Sequence, residues 1–398
     1  MKLFKFADQT TSIHCPPQRM RGRISTRLMR LSLLALACMA MVAAEAKPTL
    51  HKKSLGRASL HKTAHKIAPK PDDIGEFANF GQWKEVADFI DYMVAKHGLD
   101  KAELEAILRK TRLVDSAIQL VKPAPPGKPK NWQAYHARFV EPIRIQAGVE
   151  FWDAYADALA RAEAEYGVPA EIIVGIIGVE TIYGRNTGSF RVLDAITTLA
   201  FAYPETPNRL TRMEYFRGEL ENTLLFARES GIDPFSLLGS YAGAVGLPQF
   251  MPGSIRQYAV DFDNDGQIDL RNSPVDAIGS VANFLVQHGW QRGEPIVFPA
   301  SVGSPAEDGD GSTWQDYIGQ GLEAKFTLDE LQHGGVHPAI TLPGDSLFGL
   351  VDLQNGFEPT EYWLGTANFF AITQYNRSFF YAMSVVDLGR TVRAARNR

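Results

Sequence analysis

The chain has 398 residues, 45% hydrophobic and 22% charged, a composition that excludes an extended disordered protein and leaves room for a large core. Its net charge of −4 is unevenly spread: residues 1–71 carry 14 Lys and Arg against 2 Asp and Glu, leaving 27 basic against 43 acidic residues in the remainder. An acidic body argues against nucleic acid as the main partner. With Cys15 and Cys38 as its only cysteines, both near the N-terminus, the body has neither a disulfide framework nor a cysteine metal site.

Residues 31–44 form an apolar run of signal-peptide length, preceded by Arg21, Arg23, Arg27 and Arg30 and followed by the cleavage pattern Ala44-Glu45-Ala46. The run is short for a transmembrane span. The expectation is export to the periplasm with residues 1–46 removed, and Met20 makes a tidier start than Met1. Cys38 sits in the middle of the run after Ala35-Leu36-Ala37, a poor setting for a lipid anchor. Residues 47–75, rich in Lys, His and Ala, read as a basic disordered linker.

Helical periodicity then takes over. Phe89, Ile90, Met93 and Val94 make one apolar stripe, and Leu104, Ile107 and Leu108 another. A Pro-rich break at 122–130 precedes a second helical stretch, 132–166, which carries Trp152, Tyr155 and Leu159. Residues 76–165 are expected to form an N-terminal helical subdomain.

Residues 169–188, PAEIIVGIIGVETIYGRNTG, read as a buried helix, with Pro169 at the first helical position and Gly184 as its stop. Ile173, Ile176, Ile177 and Glu180 share one face. Gly175 and Gly178 weaken a helix and so point to close backbone packing. An acid on an apolar face near a helix C-terminus has its pKa raised by burial and dipole, as a general acid requires near neutral pH. The competing reading is a Glu turned to solvent or held by a structural Arg.

A short apolar helix at 193–202 follows, then a loop at 203–212 and an amphipathic helix at 214–229. Residues 239–257, GSYAGAVGLPQFMPGSIRQ, are dense in small residues and bring backbone close to a ligand or to a packed turn. Asp261, Asp263 and Asp265, with Gly266 at the sixth position, match the start of an EF-hand calcium loop, to which the Gln267 carbonyl adds an oxygen. Asn272 replaces the expected closing Glu, and Asp276 is placed to close a longer loop, 261–276. Residues 291–358, with apolar runs at 295–298, 339–342 and 347–353, suggest a small β-rich subdomain. Helix is expected to return over 362–393, a stretch carrying Tyr375, Asn376 and Tyr381.

The segments GVETIYGRNTG, SYAGAVGLPQFMPGS, DFDNDGQIDL…PVDAIGSVANF and NFFAITQYNRSFFYAM, in this order, resemble the membrane-bound lytic murein transglycosylase B family of bacterial cell-wall enzymes. The resemblance implies a mainly α (α+β) fold: a goose-lysozyme-like core over 166–290 and 359–398 with the β subdomain inserted. It implies non-hydrolytic cleavage of the β-1,4 bond between N-acetylmuramic acid and N-acetylglucosamine. Glu180 matches the catalytic acid. Ser240, Gln249, Tyr375, Asn376 and Tyr381 match groove residues. Arg212, or Arg209 in the same loop, matches a residue that reaches substrate peptide. Asp261, Asp263, Asp265, Gln267 and Asp276 match a structural Ca2+ site. Phe284 stands where relatives carry a groove tyrosine. Peptidoglycan glycan strands are the implied partner, with cell-wall synthesis or remodelling proteins as further ones. A hydrolytic muramidase and a non-catalytic peptidoglycan-binding scaffold are the alternatives.

Overall fold

A computed structural model of the chain describes residues 80–398 except 124–126, 128, 308–310 and 343–344. The leader, its cleavage site, Cys38 and the basic linker lie outside the described residues, which are mainly helical with two small sheets.

Three helices lead: α1 (Lys84–His97), α2 (Lys101–Lys110) and α3 (Asp115–Leu120). They bury the stripes that the spacing marks, Phe89, Ile90 and Met93 on α1 and Leu104 and Leu108 on α2, with Val94 and Ile107 half-buried at the edge. The stretch 132–166 is broken into α4 (Trp132–His136), α5 (Pro142–Ala154) and α6 (Ala156–Tyr166). Pro142 has no N–H with which to continue a helix through 137–141. It opens a new one instead, capped by Glu141, whose carboxylate accepts from Ile143 N and Arg144 N. At Tyr155 the backbone leaves helical geometry (φ −122°, ψ 29°).

Helix α7 (Ala170–Thr181) is the centre of the molecule, and every residue from Ala170 to Val179 is buried. It packs on α14 (Phe379–Arg396) through glycines on both helices. A Cβ on Gly175 would lie 2.3 Å from Val385 O, and one on Gly389 would lie 2.1 Å from Glu171 O. This is the close backbone packing that Gly175 implies in the sequence.

Both ends of α7 differ from expectation. Pro169 is the N-cap rather than the first helical residue, with ψ at 138°. The helix stops at Thr181, not Gly184, because Ile182 (φ 51°) and Tyr183 (φ 56°) turn left-handed. That conformation costs an L-residue about 1–2 kcal/mol. Thr181 holds the turn in place. Its hydroxyl donates to Leu247 O at 2.9 Å and accepts from Gly184 N at 3.0 Å, while its carbonyl accepts from Asn186 N at 2.9 Å.

Around α7 lie α8 (Val192–Phe201), α9 (Arg209–Glu229), α10 (Pro252–Tyr258) and α11 (Pro274–Gln287). The loop expected over 203–212 closes at Asn208, so Arg209 and Arg212 belong to the first turn of α9. A two-residue strand β1 (Phe190–Arg191) pairs with β2 (Leu238–Gly239). The chain then turns through Gly243 (φ 88°) and Gly246 (φ 75°) to Gln249, itself left-handed at φ 52°. Strands β3 (Val297–Val302), β4 (Val336–Pro338), β5 (Gly349–Asn355) and β6 (Glu358–Gly365) form an antiparallel sheet in the order β4-β3-β6-β5. The sheet covers a second core built on Leu331, Val336, Phe348, Leu350 and Leu364, with α12 (Leu328–His333) beside it. The apolar run at 339–342 falls just beyond β4. Helix does not resume at Tyr362, because Tyr362–Gly365 is held between Val297–Ala300 on one side and Gly349–Asp352 on the other. It resumes as α13 (Ala367–Tyr375), capped by Thr366, whose side chain accepts from Asn368 N.

Candidate active site

Glu180 occupies the last turn of α7 and opens on a cleft of about 430 Å³. The carboxyl is half-buried against the apolar end of the helix. That burial pushes its pKa up to about 7, and Tyr381, whose hydroxyl donates to Oε1 at 2.6 Å, pulls weakly the other way. Tyr135 lies close enough for the Glu180 charge to add to its own burial in raising its phenol to about 12.

Four of the residues marked as groove residues in the sequence line the cleft with Glu180: Ser240, Gln249, Asn376 and Tyr381. Ser240 Oγ accepts from Ala244 N at 3.0 Å, which fixes the turn after β2. Gln249 spends its amide nitrogen on Gly246 O at 2.9 Å and Thr187 O at 3.2 Å, so both its strained backbone and its side chain serve to hold the wall. Tyr381 stands at the start of α14, where Ser378 caps the helix by accepting from its N–H at 3.3 Å.

Two sequence assignments are corrected. Tyr375 is buried behind the wall. Its hydroxyl donates to Pro248 O at 2.5 Å, and its ring stacks on Tyr381 with centroids 6.3 Å apart, so it supports the groove without lining it. Arg212 is buried in α9, its Nε donating to the Tyr203 hydroxyl at 3.3 Å and its guanidinium lying over Tyr203, Tyr215 and Phe216; it is not among the cleft residues. Phe284, too, sits behind the wall, packed among Phe250, Tyr258, Tyr375 and His288.

The cleft contains residues that sequence reasoning missed: Tyr135, Phe139 and Arg144 from one side, and Asn186, Ser189 and Tyr241 from the other. Tyr135 and Phe139 are four apart and share a face, and Asn186 lies within GRNTG; those were the available signals.

Removing the Tyr381 hydroxyl tests the local electrostatics. Its hydrogen bond favours the ionised Glu180, so Tyr381→Phe raises the Glu180 pKa further. The alkaline limb of the kcat/KM profile should move to higher pH, and the rate should drop about tenfold through lost positioning. An unmoved limb would separate Tyr381 from the titration.

In the acidic loop, carboxylate oxygens of Asp261, Asp263 and Asp276 lie within 4.8 Å of one another. Asp276 is 1% exposed and accepts from Phe262 N at 2.7 Å and Asp269 N at 2.9 Å, which closes the loop as its position suggests. The Asp265 carboxylate is not among these converging oxygens, although the Asp265 N–H donates to Asp261 Oδ1 at 3.1 Å and Asp263 Oδ1 at 3.2 Å. Asp265 Oδ1 accepts from Gln267 N at 2.8 Å, which ties the two into a local turn. Three hard carboxylates at this spacing fit a divalent cation bound by oxygen. The loop leans on the cleft through backbone, since Leu270 O accepts from Leu247 N at 2.8 Å, and Leu247 O in turn takes the Thr181 hydroxyl.

A wider cavity of about 560 Å³ opens between α9, α10 and residues 266–272. Its charged side chains are engaged locally, Arg256 with Glu229 at 2.7 Å, Asp269 with the N–H groups of Arg271 and Asn272, and Arg271 with Ser236 O at 3.4 Å.

The Transglycosylase SLT domain family matches residues 81–390. Membrane-bound lytic murein transglycosylase B of Escherichia coli (strain K12) is 42% identical over 381 residues, 93% of this chain and 97% of that protein. The crystal structure of soluble lytic transglycosylase SltB1 from Pseudomonas aeruginosa is similar with a TM-score of 0.70 at 44% identity, covering 79% of this chain and 100% of that one. Escherichia coli lytic transglycosylase Slt35 in complex with calcium gives a TM-score of 0.69 at 42% identity, covering 83% and 100%. The family match takes in Glu180 and every wall of its cleft, and the chain belongs to the lytic murein transglycosylase B family of peptidoglycan-cleaving enzymes.

Proposed function

We propose that Glu180 alone supplies both acid and base for the lytic transglycosylase reaction of this chain. That reaction breaks the β-1,4 bond between N-acetylmuramic acid and N-acetylglucosamine without water and leaves a 1,6-anhydro end. The observation that carries the proposal is that, among the described residues, Glu180 is the only carboxyl lining the cleft. Most glycosidases need two carboxyls, the second acting as nucleophile or as base for water. Here the nucleophile is the 6-hydroxyl of the muramic acid ring itself. Protonated Glu180 gives its proton to the glycosidic oxygen as the C1–O bond breaks. The 6-hydroxyl then closes on C1, and its proton returns to Glu180. With a pKa of about 7, the group is divided between the two forms near neutral pH, which suits a residue that acts once in each.

Ser240, Gln249, Asn376 and Tyr381, together with the Tyr135 ring, are the residues we assign to holding the sugars. Asp261, Asp263 and Asp276 are assigned to a structural Ca2+, supported by the convergence of their oxygens. Bound there, the ion would neutralise the acidic loop and take no part in the bond cleavage. The leader assigns the chain to the periplasm, with cleavage after Ala46. No helix among the described residues is long and apolar enough to cross a membrane.

Product mass tests the mechanism. Digests of purified sacculi should yield muropeptides one water lighter than hydrolysis gives. Fragments with free reducing ends as the main product would make water the nucleophile and require a second carboxyl.

A further inference from the structure

Arg144 is the only cation among the described residues lining the cleft, and no step above uses it. Arg144 stands in the first turn of α5 and is 8% exposed, and its side chain is held from several directions. Nε donates to Gly178 O at 2.9 Å, on the last turn of the helix that carries Glu180. Nη1 donates to Arg138 O at 2.6 Å, in the bend that presents Phe139 to the cleft. Glu141 Oε1, which also caps α5 by accepting from Arg144 N, pairs with Nη1 at 3.4 Å, Phe139 O accepts from Nη1 at 3.4 Å, and the Phe139 ring lies 5.3 Å from the guanidinium carbon. Nη2 donates to nothing among the described residues.

The guanidinium is therefore fixed in orientation by carbonyls, the Glu141 carboxylate and the Phe139 ring, with the two N–H groups of Nη2 left without a protein partner among the described residues. A preoriented cation in a cleft wall with donors to spare is a place where a ligand anion docks. A guanidinium with preset geometry suits a carboxylate, and in a desolvated cleft the contact is charge-assisted. The substrate has such groups. A muramic acid ring carries a lactyl arm that ends either in a free carboxylate or in a stem peptide with carboxylates of its own.

We propose that Arg144 binds a carboxylate carried by the glycan strand, so that the cleft reads the acidic substituent of the ring that Glu180 cuts. This rests on the transglycosylase reading of the cleft. The shared chemistry is a carboxylate within reach of Nη2, and its source is either the bare lactyl arm or the stem peptide.

The test compares kcat/KM of the whole mature enzyme on strands bearing stem peptides and on strands stripped to the lactyl arm by an amidase. Each is used both with its carboxylates free and after conversion to amides with carbodiimide and ammonia. The wild-type enzyme should prefer the free carboxylate over its amide by about tenfold or more, carried mainly by KM, in whichever preparation supplies the group. Arg144→Gln should bring that ratio close to one, and Arg144→Lys, which keeps the charge, should retain part of it. A purely structural role would slow both forms alike and leave the ratio intact, which would overturn the proposal. So would a wild-type ratio near one in both preparations, a result that stands even if the Gln variant fails to fold. Preference confined to stripped strands assigns the lactyl carboxylate, and preference confined to peptide-bearing strands assigns the stem. Absence of anhydro product from the wild type on every preparation would instead sink the underlying reaction.

Discussion

Glu180→Gln is expected to lower turnover on peptidoglycan by about 10⁴-fold or more, because the one residue proposed to give and retake the proton is gone and each role is worth about 10²–10⁴. The substitution preserves size and the contact with the Tyr381 hydroxyl, so the cleft should keep its shape. The wild-type enzyme should show the matching pH dependence. The acid form is required for leaving-group protonation, so kcat/KM should fall as pH rises through about 7. Stability carries the same signature. A carboxyl whose folded pKa is raised above its unfolded value favours the folded state fully below the unfolded value, near 4.5, and loses that contribution as pH climbs to about 7. Each pH unit of separation is worth about 1.4 kcal/mol. The carboxyl is half-open to cleft water, which reduces the whole effect to about 1–2 kcal/mol. Above pH 7, then, Glu180→Gln should melt higher than wild type, and below pH 4.5 the two should coincide. An active Gln variant would remove the mechanism. A Gln variant that melts lower at every pH would mean that the carboxylate is held by its surroundings rather than strained by them.

Asp276→Asn is expected to have the largest effect on stability. Asp276 accepts from the N–H groups of Phe262, Asp263 and Asp269, and it contributes an oxygen to the cluster with Asp261 and Asp263. An amide retains one acceptor and turns two N–H groups toward donors already there. The loss of charge-assisted bonds should cost about 1.5–3 kcal/mol without any metal. Calcium at 100 times its Kd should add about 2.7 kcal/mol to the wild-type protein and much less to the variant. Melting curves with chelator, calcium and magnesium separate the two contributions, since magnesium demands tight octahedral geometry. A wild-type melting point indifferent to chelation would count against the site. Because Leu270 supports Leu247, and Leu247 takes the Thr181 hydroxyl, the variant should also lose some kcat, though far less than Glu180→Gln.

Local order made the centre of the molecule legible. An apolar stripe at helical spacing, two glycines inside it and one acid at its end define α7 and Glu180 without reference to any neighbour, since side-chain period and volume are properties of the segment itself. The acidic loop was equally plain at its start, where Asp261 and Asp263 stand at fixed short offsets. The ends of segments were harder to read. Pro169, Gly184 and Tyr362 each looked like a boundary. The true boundaries lie at Ala170, whose N–H is taken by the Glu163 carboxylate, at Thr181, whose hydroxyl is held by the distant Leu247 carbonyl, and at Gly365, where strands on both sides pair with the chain.

Which side of a wall a residue faces was decided only by packing. Tyr375, Asn376 and Tyr381 lie within seven positions, yet the chain breaks between α13 and α14, and each helix takes the rotation its own contacts impose. Tyr375 is thereby turned to Pro248 and Tyr381 to Glu180. Arg212 looked available in a presumed loop and is buried because α9 begins three residues before it. Arg144 drew no notice in the sequence and reaches the cleft because Pro142 starts a new helix whose first turn bonds Gly178 O. Composition and period determine which segments are helices and which acid is uncomfortable. The approach of α14 onto α7 at Gly175 and Gly389, a contact between residues more than 200 positions apart, decides which side chains meet that acid.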